Sequence, residues 1–426
     1  MLNKIKSHPQ YDKVLHWGKL ISITGSAQII VQAVGFLSGI LIIRLLPIEE
    51  YALYTLANTM LGTMTVLADG GISTGVMSQG AKVWQDKEKL GAVLATGLDL
   101  RRKFAIGSLI IASPILIYLL LHNGASELTT FLIVISLVPA FFAALSDSLL
   151  EIVPKLHQDI LPLQKNQVLV GLGRLLLTVL TVFIFPWTFV AILASGLSRI
   201  YGNIKLRKIA YKFVDIKQQS DPVIQKDILQ MVKRILPGAI YFCVSGQITI
   251  WLISFFGNSS SVAQLGALGR LSMLLSLLSV LIGTLIIPRF ARLSENRNLL
   301  LKHYFQIMLL LFLFMIVIVA IVYIFPDQIL CVLGKNYLGL QREFLLSIIG
   351  SYFNLIAGVY FSLYTSRGWA INPLFSITIS LMAVVIGAFL FNVSTLYGVL
   401  IFNIFIAITQ VVINSGYCLK KIIFNK

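Results

Sequence analysis

Runs of about twenty apolar residues recur along the chain, separated by short polar turns, and nowhere does a sustained in–out alternation replace them. The runs predict helices at about 20–46, 51–80, 98–120, 127–150, 163–184, 187–205, 229–256, 262–288, 303–325, 343–365, 371–391 and 395–419. At 1.5 Å per residue each is long enough to cross roughly 30 Å of hydrocarbon. The expectation is an all-α polytopic membrane protein of twelve transmembrane helices. The first residues, "MLNKIKSHPQYDKVLHWGKL", lack a compact apolar core with a small-residue cleavage site, so the first helix itself is expected to target the membrane.

The longest polar stretch, "KLRKIAYKFVDIKQQSDPVIQKD" at 205–227, separates the first six runs from the last six. The expected organisation is an N-terminal bundle at 1–205, a basic linker at 206–228 and a C-terminal bundle at 229–426. Within the linker, 206–216 mixes basic and apolar residues. Two readings fit it: an interfacial helix on anionic lipid, or a solvated loop. The halves also show weak internal similarity at an offset of about 212, "IIRLLPIEEYALYTLANTM" falling on "LISFFGNSSSVAQLGALGR". Six helices per half, each half starting on the same side, give parallel repeats about a pseudo-two-fold axis along the membrane normal. Alternating-access transporters use that arrangement, with the cargo near the midplane.

Charge changes the picture in one respect. The chain is 426 residues long, 57% hydrophobic and only 12% charged, with a net charge of +17 and a mean hydropathy of +0.88. Such a basic excess can signal nucleic acid, but here it is topological. Of 34 Lys and Arg residues, 29 fall in the segments of one side; Arg44, Lys335 and Arg342 fall on the other, and Arg174 and Arg270 within spans. The positive-inside rule then puts both termini in the cytoplasm. The cysteines, Cys243, Cys331 and Cys418, are isolated in apolar surroundings without metal-ligand spacing. They read as small buried hydrophobes, and no metal site is expected.

Small and polar residues mark the faces that helices turn toward each other or toward a cavity. Gly25, Gln28, Gln32, Gly35 and Gly39 recur at steps of three and four on the first span, as do Thr55, Asn58, Gly62, Thr65 and Asp69 on the second. For the glycines, close packing is the favoured reading; for Gln28, Gln32, Asn58 and Asp69, a cavity lining stands equally with satisfied packing. Arg270 is the single ionisable residue of 262–288 and falls, at the repeat offset, where Asn58 sits. It lies about eight residues, roughly 12 Å, below the end of its span. Arg174, in "VGLGRLLL", is about as deep from the opposite side. An isolated Arg at the bilayer centre costs about 2.5–3.5 kcal/mol on insertion scales, so each faces a wet cavity or a partner such as Asp69 or Asp147. Asp69, ahead of "GGIST", is a candidate for ion coupling; Asp147 and Glu151 suit a gate pair or helix-end hydrogen bonds; Glu49 and Glu50 read as solvated.

Four stretches together resemble the bacterial polysaccharide flippases, the Wzx-type O-antigen transporters, which share a superfamily with multidrug and toxin extrusion transporters. They are "IIRLLPIEEYALYTLANTM" at 42–60, "LADGGISTGV" at 67–76, "QLGALGRLSMLLSLLSVLIGTLIIPRFARL" at 264–293 and "FPDQILCVLGKNYLGLQREFLLSIIGSYF" at 325–353. The resemblance implies translocation of an undecaprenyl-pyrophosphate-linked oligosaccharide from the inner to the outer leaflet of the bacterial inner membrane. It also implies a cationic central cavity, for which Arg270 and Arg174 match by place and chemistry, with Gln28, Gln32 and Asn58 available to a sugar. Asp69 and Asp147 are the candidates for proton or sodium coupling or for gating, and no cofactor is expected. A polysaccharide polymerase and a chain-length regulator are the implied partners, and a monomer suffices. The nearest rival reading is a cation-coupled drug exporter of the same fold; a second is a lipid II flippase, which resembles this layout but usually carries two further spans. A membrane enzyme is disfavoured, because no sizeable loop gathers acids, bases or metal ligands.

Overall fold

The computed structural model describes residues 9–291, 293, 294, 296–367, 369 and 371–424. Side chains are described from Ser26 onward, except Gln28 and scattered positions at 239–295 and 373–374. The described residues hold helices joined by short turns and no strand.

The first six spans comprise α1 (Pro9–Leu45), α2 (Ile48–Asp69) with α3 (Ile72–Val83), α4 (Lys87–His122), α5 (Glu127–Leu150), α7 (Ile160–Ile184) and α8 (Thr188–Ala210); α6 (Ile152–Leu156) is a short connector. The second six comprise α9 (Pro222–Phe256), α10 (Ser259–Ser272) with α11 (Leu275–Leu285) and α12 (Ile287–Ala291), α13 (Arg297–Ile324), α15 (Gln341–Thr365), α16 (Pro373–Leu390) and α17 (Leu396–Phe424), with a connector α14 (Pro326–Leu330). The twelve spans thus stand as expected, in a multi-pass membrane protein. Corresponding helices of the two sixes begin 208 to 214 residues apart: Pro9 and Pro222, Ile48 and Ser259, Lys87 and Arg297, Glu127 and Gln341, Ile160 and Pro373, Thr188 and Leu396. The internal repeat is therefore one of element order as well as of sequence.

The chain divides into two compact units, Met1–Val244 and Ser245–Lys426, which meet in sequence within α9. In the first, α5 packs on α8, α7 on both α1 and α8, and α2 on α4. The second span is not one helix: it breaks at Gly70 (φ +47°) and Gly71 (φ +99°). Both lie in the left-handed region that glycine enters without Cβ strain, and α3 restarts at Ile72. The eighth span is likewise three helices rather than one.

Two expectations about loops change. The segment 206–216 is not a free solvated loop. Leu206, Ala210 and Val214 are buried in one cluster with Leu90, Val93, Leu149, Ile228 and Val232. The Asp215 amide donates to the Lys87 carbonyl at 3.0 Å, and the Asp221 amide to Thr96 Oγ1 at 2.9 Å. Helix ends outside the hydrocarbon still gain by burying apolar surface from water, about 25 cal/mol per Å². The linker supplies that cover. Glu50 is not merely solvated either. Its Oε2 accepts the Thr188 amide at 2.7 Å, and Thr188 Oγ1 donates to the Glu50 carbonyl at 2.6 Å. The carboxylate so caps the first residue of α8, where a helix N-terminus favours negative charge.

In the second unit α15 packs along α17. Tyr304, Tyr352, Tyr360 and Tyr364 are buried between helices. Their hydroxyls find partners: Tyr352 donates to the Leu311 carbonyl at 2.8 Å and Tyr364 to Asn414 Oδ1 at 3.3 Å. Cys243 and Cys418 are buried as expected. Cys331 is exposed, because it closes the short connector α14 instead of lying in a span.

Candidate functional site

Two adjoining polar cavities lie inside the first unit and share Asn58, Leu61 and Arg199 on their walls. One, of about 380 Å³, is lined by Asn58, Asp147, Asn166, Gln167, Arg174 and Arg199 among others. The three residues that matter most stand at the middles of their helices: Asn58 in α2, Arg174 in α7 and Arg199 in α8. The cavity therefore falls midway along these three helices, where a polar group is costly unless it faces a partner or water. Gly35 on α1 faces the Arg174 side chain; a β-carbon there would meet Nη2 at 3.4 Å, in ordinary van der Waals contact. Asn58 Nδ2 donates back to the Tyr54 carbonyl at 3.0 Å, leaving its carbonyl side for the cavities. Asn166 is 8% exposed; its Nδ2 donates to the Gly202 carbonyl at 3.0 Å, and its Oδ1 has no partner among the described residues.

The acids of this wall are held by cations, and not by those the sequence suggested. Arg199 Nε donates to Asp147 Oδ2 at 3.1 Å, while Asn203 Nδ2 donates to Asp147 Oδ1 at 2.6 Å. Arg207 Nε in turn donates to Asn203 Oδ1 at 3.1 Å. Glu151 accepts from Lys155 Nζ at 2.7 Å and from Gln167 Nε2 at 3.0 Å.

The second cavity, of about 560 Å³, runs from Asn58 down to the break after α2 and is lined by Asp69, Gly70, Gly71, Ser73, Arg101 and Ser148. Asp69 is not paired with Arg174 or Arg270. Its Oδ1 accepts from Arg101 Nη2, from Ser73 Oγ at 2.7 Å and from the Ser73 amide at 3.1 Å. Arg101, on α4, is 3% exposed and also donates to Ser73 Oγ at 2.8 Å, to the Leu145 carbonyl at 2.5 Å and to Ser148 Oγ. Four elements, α2, α3, α4 and α5, are joined at this one guanidinium.

The candidate residues therefore separate. Asn58, Arg174 and Asp147 come together around one cavity, and Asn58 with Asp69 around the other. Gln32 is exposed and outside both walls, and the side chain of Gln28 lies outside the described residues. Arg270 is in the second unit on α10, half-buried, with Nη1 3.7 Å from Met273 Sδ. The sequence reading passed over Arg101, Arg199 and Asn203, counting the arginines with the basic span ends. A signal for Arg101 was present: it falls in a row with Gly97, Ala105, Ser108 and Ala112, the small-residue face of α4. Among the described residues no group of three or more His, Cys, Asp or Glu is placed to hold a metal.

In sequence, no family model and no curated protein matches the chain. Solved structures do match. An inward-facing multidrug resistance MATE family transporter of the MOP superfamily is 16% identical with a TM-score of 0.73, over 93% of this chain and 94% of its own. The lipid II flippase MurJ, in an inward closed conformation, is 15% identical with a TM-score of 0.71, over 93% of this chain and 86% of its own. A MOP superfamily transporter from Pyrococcus furiosus, described as having a binding pocket of reversed polarity, is 16% identical with a TM-score of 0.59, over 94% and 96%. The fold is that of these transporters.

Proposed function

We propose that the protein is a flippase. It moves an undecaprenyl-pyrophosphate-linked oligosaccharide, a repeat unit of O-antigen or a related surface polysaccharide, from the cytoplasmic to the periplasmic leaflet by alternating access. The observation that carries this reading is the mid-helix cavity walled by Arg174, Arg199 and Asn58. A sugar cannot cross hydrocarbon unaided, because each unpaired hydroxyl costs several kcal/mol to desolvate. A pyrophosphate adds negative charge, which planar guanidinium donors bind bidentately. Amides such as Asn58, Asn166 and Gln167 supply hydrogen bonds of the kind hydroxyls need. The prenyl chain stays in lipid throughout, and no covalent bond changes. Arg270, which matches Asn58 in the repeat, is the candidate anion contact of the second unit.

Both termini are placed in the cytoplasm by the charge asymmetry, in the bacterial inner membrane. The inside-negative potential then helps an anionic head group outward by about 2.3 kcal/mol per uncompensated charge per 100 mV. Proton or sodium exchange through Asp69 or Asp147 is the further candidate source of energy. A polymerase and a chain-length regulator would receive the product. The fold shared with a lipid II flippase supports a lipid-linked cargo in kind. A cation-coupled drug exporter is the second reading, favoured by the carboxylates of Asp69 and Asp147 on the same walls.

The deciding experiment is complementation of a deletion in the native host, with surface polymer and lipid-linked intermediates measured together. Loss of polymer with repeat units accumulating inside supports the flippase. Unchanged polymer with new sensitivity to cationic dyes supports the exporter.

A further inference from the structure

On the far side of the α1–α7 seam from the arginine cavity runs a groove open to the bilayer. The two helices are parallel: Val34 lies against Gly171, and Gly35 is level with Arg174. Val31, Val170 and Arg174 face the cavity, whereas Ala27, Ile30, Val168, Leu169 and Leu172 line the groove, of about 290 Å³. Polarity along the groove is graded. Ser26, Gln164 and Lys165 stand at one end, and everything further along is apolar.

Three features say what fills it. First, the rim is apolar and open: Ile30, Leu161, Leu169 and Leu172 are each 40–45% exposed, and the apolar stretch of α7 is only 11% buried inside the protein. Second, Lys165 is exposed and lies five residues into α7, about 8 Å along the axis from its start, at the polar end of the groove, where a lysine can carry its ammonium out to an interface. Third, Gln164 is 5% exposed, lines the groove, and its Oε1 has no hydrogen-bond partner among the described residues. A buried amide oxygen left so is costly unless a donor arrives.

We propose that this groove binds one anionic phospholipid of the bilayer with a hydroxylated head group, phosphatidylglycerol in kind. Its phosphate pairs with Lys165, its head-group hydroxyl donates to Gln164, and an acyl chain lies along Ile30, Leu169 and Leu172. The bound lipid braces the α1–α7 wall behind Arg174. A phosphatidylcholine fails on both polar counts, having no net charge and no hydroxyl. This site is independent of what the arginine cavity carries.

The test is native mass spectrometry of the full chain released from nanodiscs holding equal phosphatidylglycerol and phosphatidylcholine. The expected result is one phosphatidylglycerol retained at energies that strip phosphatidylcholine. Lys165→Gln should weaken retention about fivefold, the size expected for one lysine near an anionic surface. Gln164→Leu, nearly isosteric, should reduce the preference for phosphatidylglycerol over phosphatidic acid, while Lys205→Gln on α8 should change nothing. Equal retention of both lipids overturns the proposal, as does indifference to Lys165→Gln. A third arm adds undecaprenyl phosphate. If it displaces the phospholipid and is lost in Lys165→Gln, the groove belongs to a prenyl chain instead.

Discussion

The guanidinium of Arg101 closes on the carboxylate of Asp69 across thirty-two residues of chain, and it does so where α2 ends and the chain must turn at Gly70–Gly71. The pair is asymmetric: the Arg101 side chain is 4% exposed and that of Asp69 32%, so the cation is committed to the protein while the anion still borders a cavity.

Removing the cation is therefore expected to cost more than removing the anion. Breaking a buried pair leaves a charge or several acceptors unsatisfied, at about 3–5 kcal/mol when both partners are buried; the exposure of Asp69 puts Arg101→Ala at the lower end. Asp69→Asn should cost less, since the amide still accepts from Ser73. Arg101→Met combined with Asp69→Leu should regain part of the loss. Melting in detergent, followed by size-exclusion chromatography, checks all three.

Arg174 should behave oppositely, sparing the fold and damaging transport. A charge-assisted hydrogen bond to cargo is worth about 1.5–3 kcal/mol, so Arg174→Ala is expected to cut flux roughly ten- to hundredfold with Arg174→Lys partly active. Flux is read as surface polymer at matched expression. Wild-type polymer in Arg174→Ala would remove this residue from the cargo path.

Gly91 meets the linker. A β-carbon there would lie 2.4 Å from the Asp215 carbonyl oxygen, in a residue whose own amide is bonded to the Lys87 carbonyl. Gly91→Ala is expected to destabilise by about 1–3 kcal/mol, the usual cost of overpacking. Gly107→Ala, on the same helix with nothing within 4 Å, is the control and should be neutral or slightly stabilising.

The start of α4 should weaken in acid. Asp86 caps it, accepting the Glu88 and Lys89 amides at 3.1 Å, and the Lys89 amide foremost holds its carboxyl below the ordinary value. A lowered value in the folded state means the stabilisation is present above the unfolded carboxylate's pKa, about 3.9, and lost as pH falls through the folded value. Proteolysis within 84–90 should rise below about pH 4 in the native protein, and at every pH in Asp86→Ala.

Cysteine labelling tests the topology. If the proposed orientation holds, a membrane-impermeant maleimide should reach Cys331 in intact spheroplasts, because that residue is exposed beside α14. Cys243 and Cys418, both buried, should stay unlabelled until the protein is denatured. Labelling of Cys331 only after the membrane is broken would invert the orientation.

The sequence by itself determined which segments cross the membrane. An apolar run long enough to span hydrocarbon must be a helix there, since its backbone groups have no other partners. The repeat offset could also be read, from two aligned stretches, before any helix start was known; the break at Gly70–Gly71 was not, since the apolar run at 51–80 continues through it. What only the tertiary structure decided was partnership. Helical periodicity tells which residues share a face, but not which neighbour that face meets. Asp69 thus offered itself to Arg174 and Arg270, and packing of α2 on α4 gave it to Arg101, which the sequence reading had passed over. Arg199 was likewise counted with the basic residues that follow it, although it stands at the middle of α8, until α8 packed on α5 and brought it to Asp147. Charges near helix ends look alike in sequence because water is always an alternative partner; only the fold, by excluding water, makes one of them structural and another a lining of the cavity.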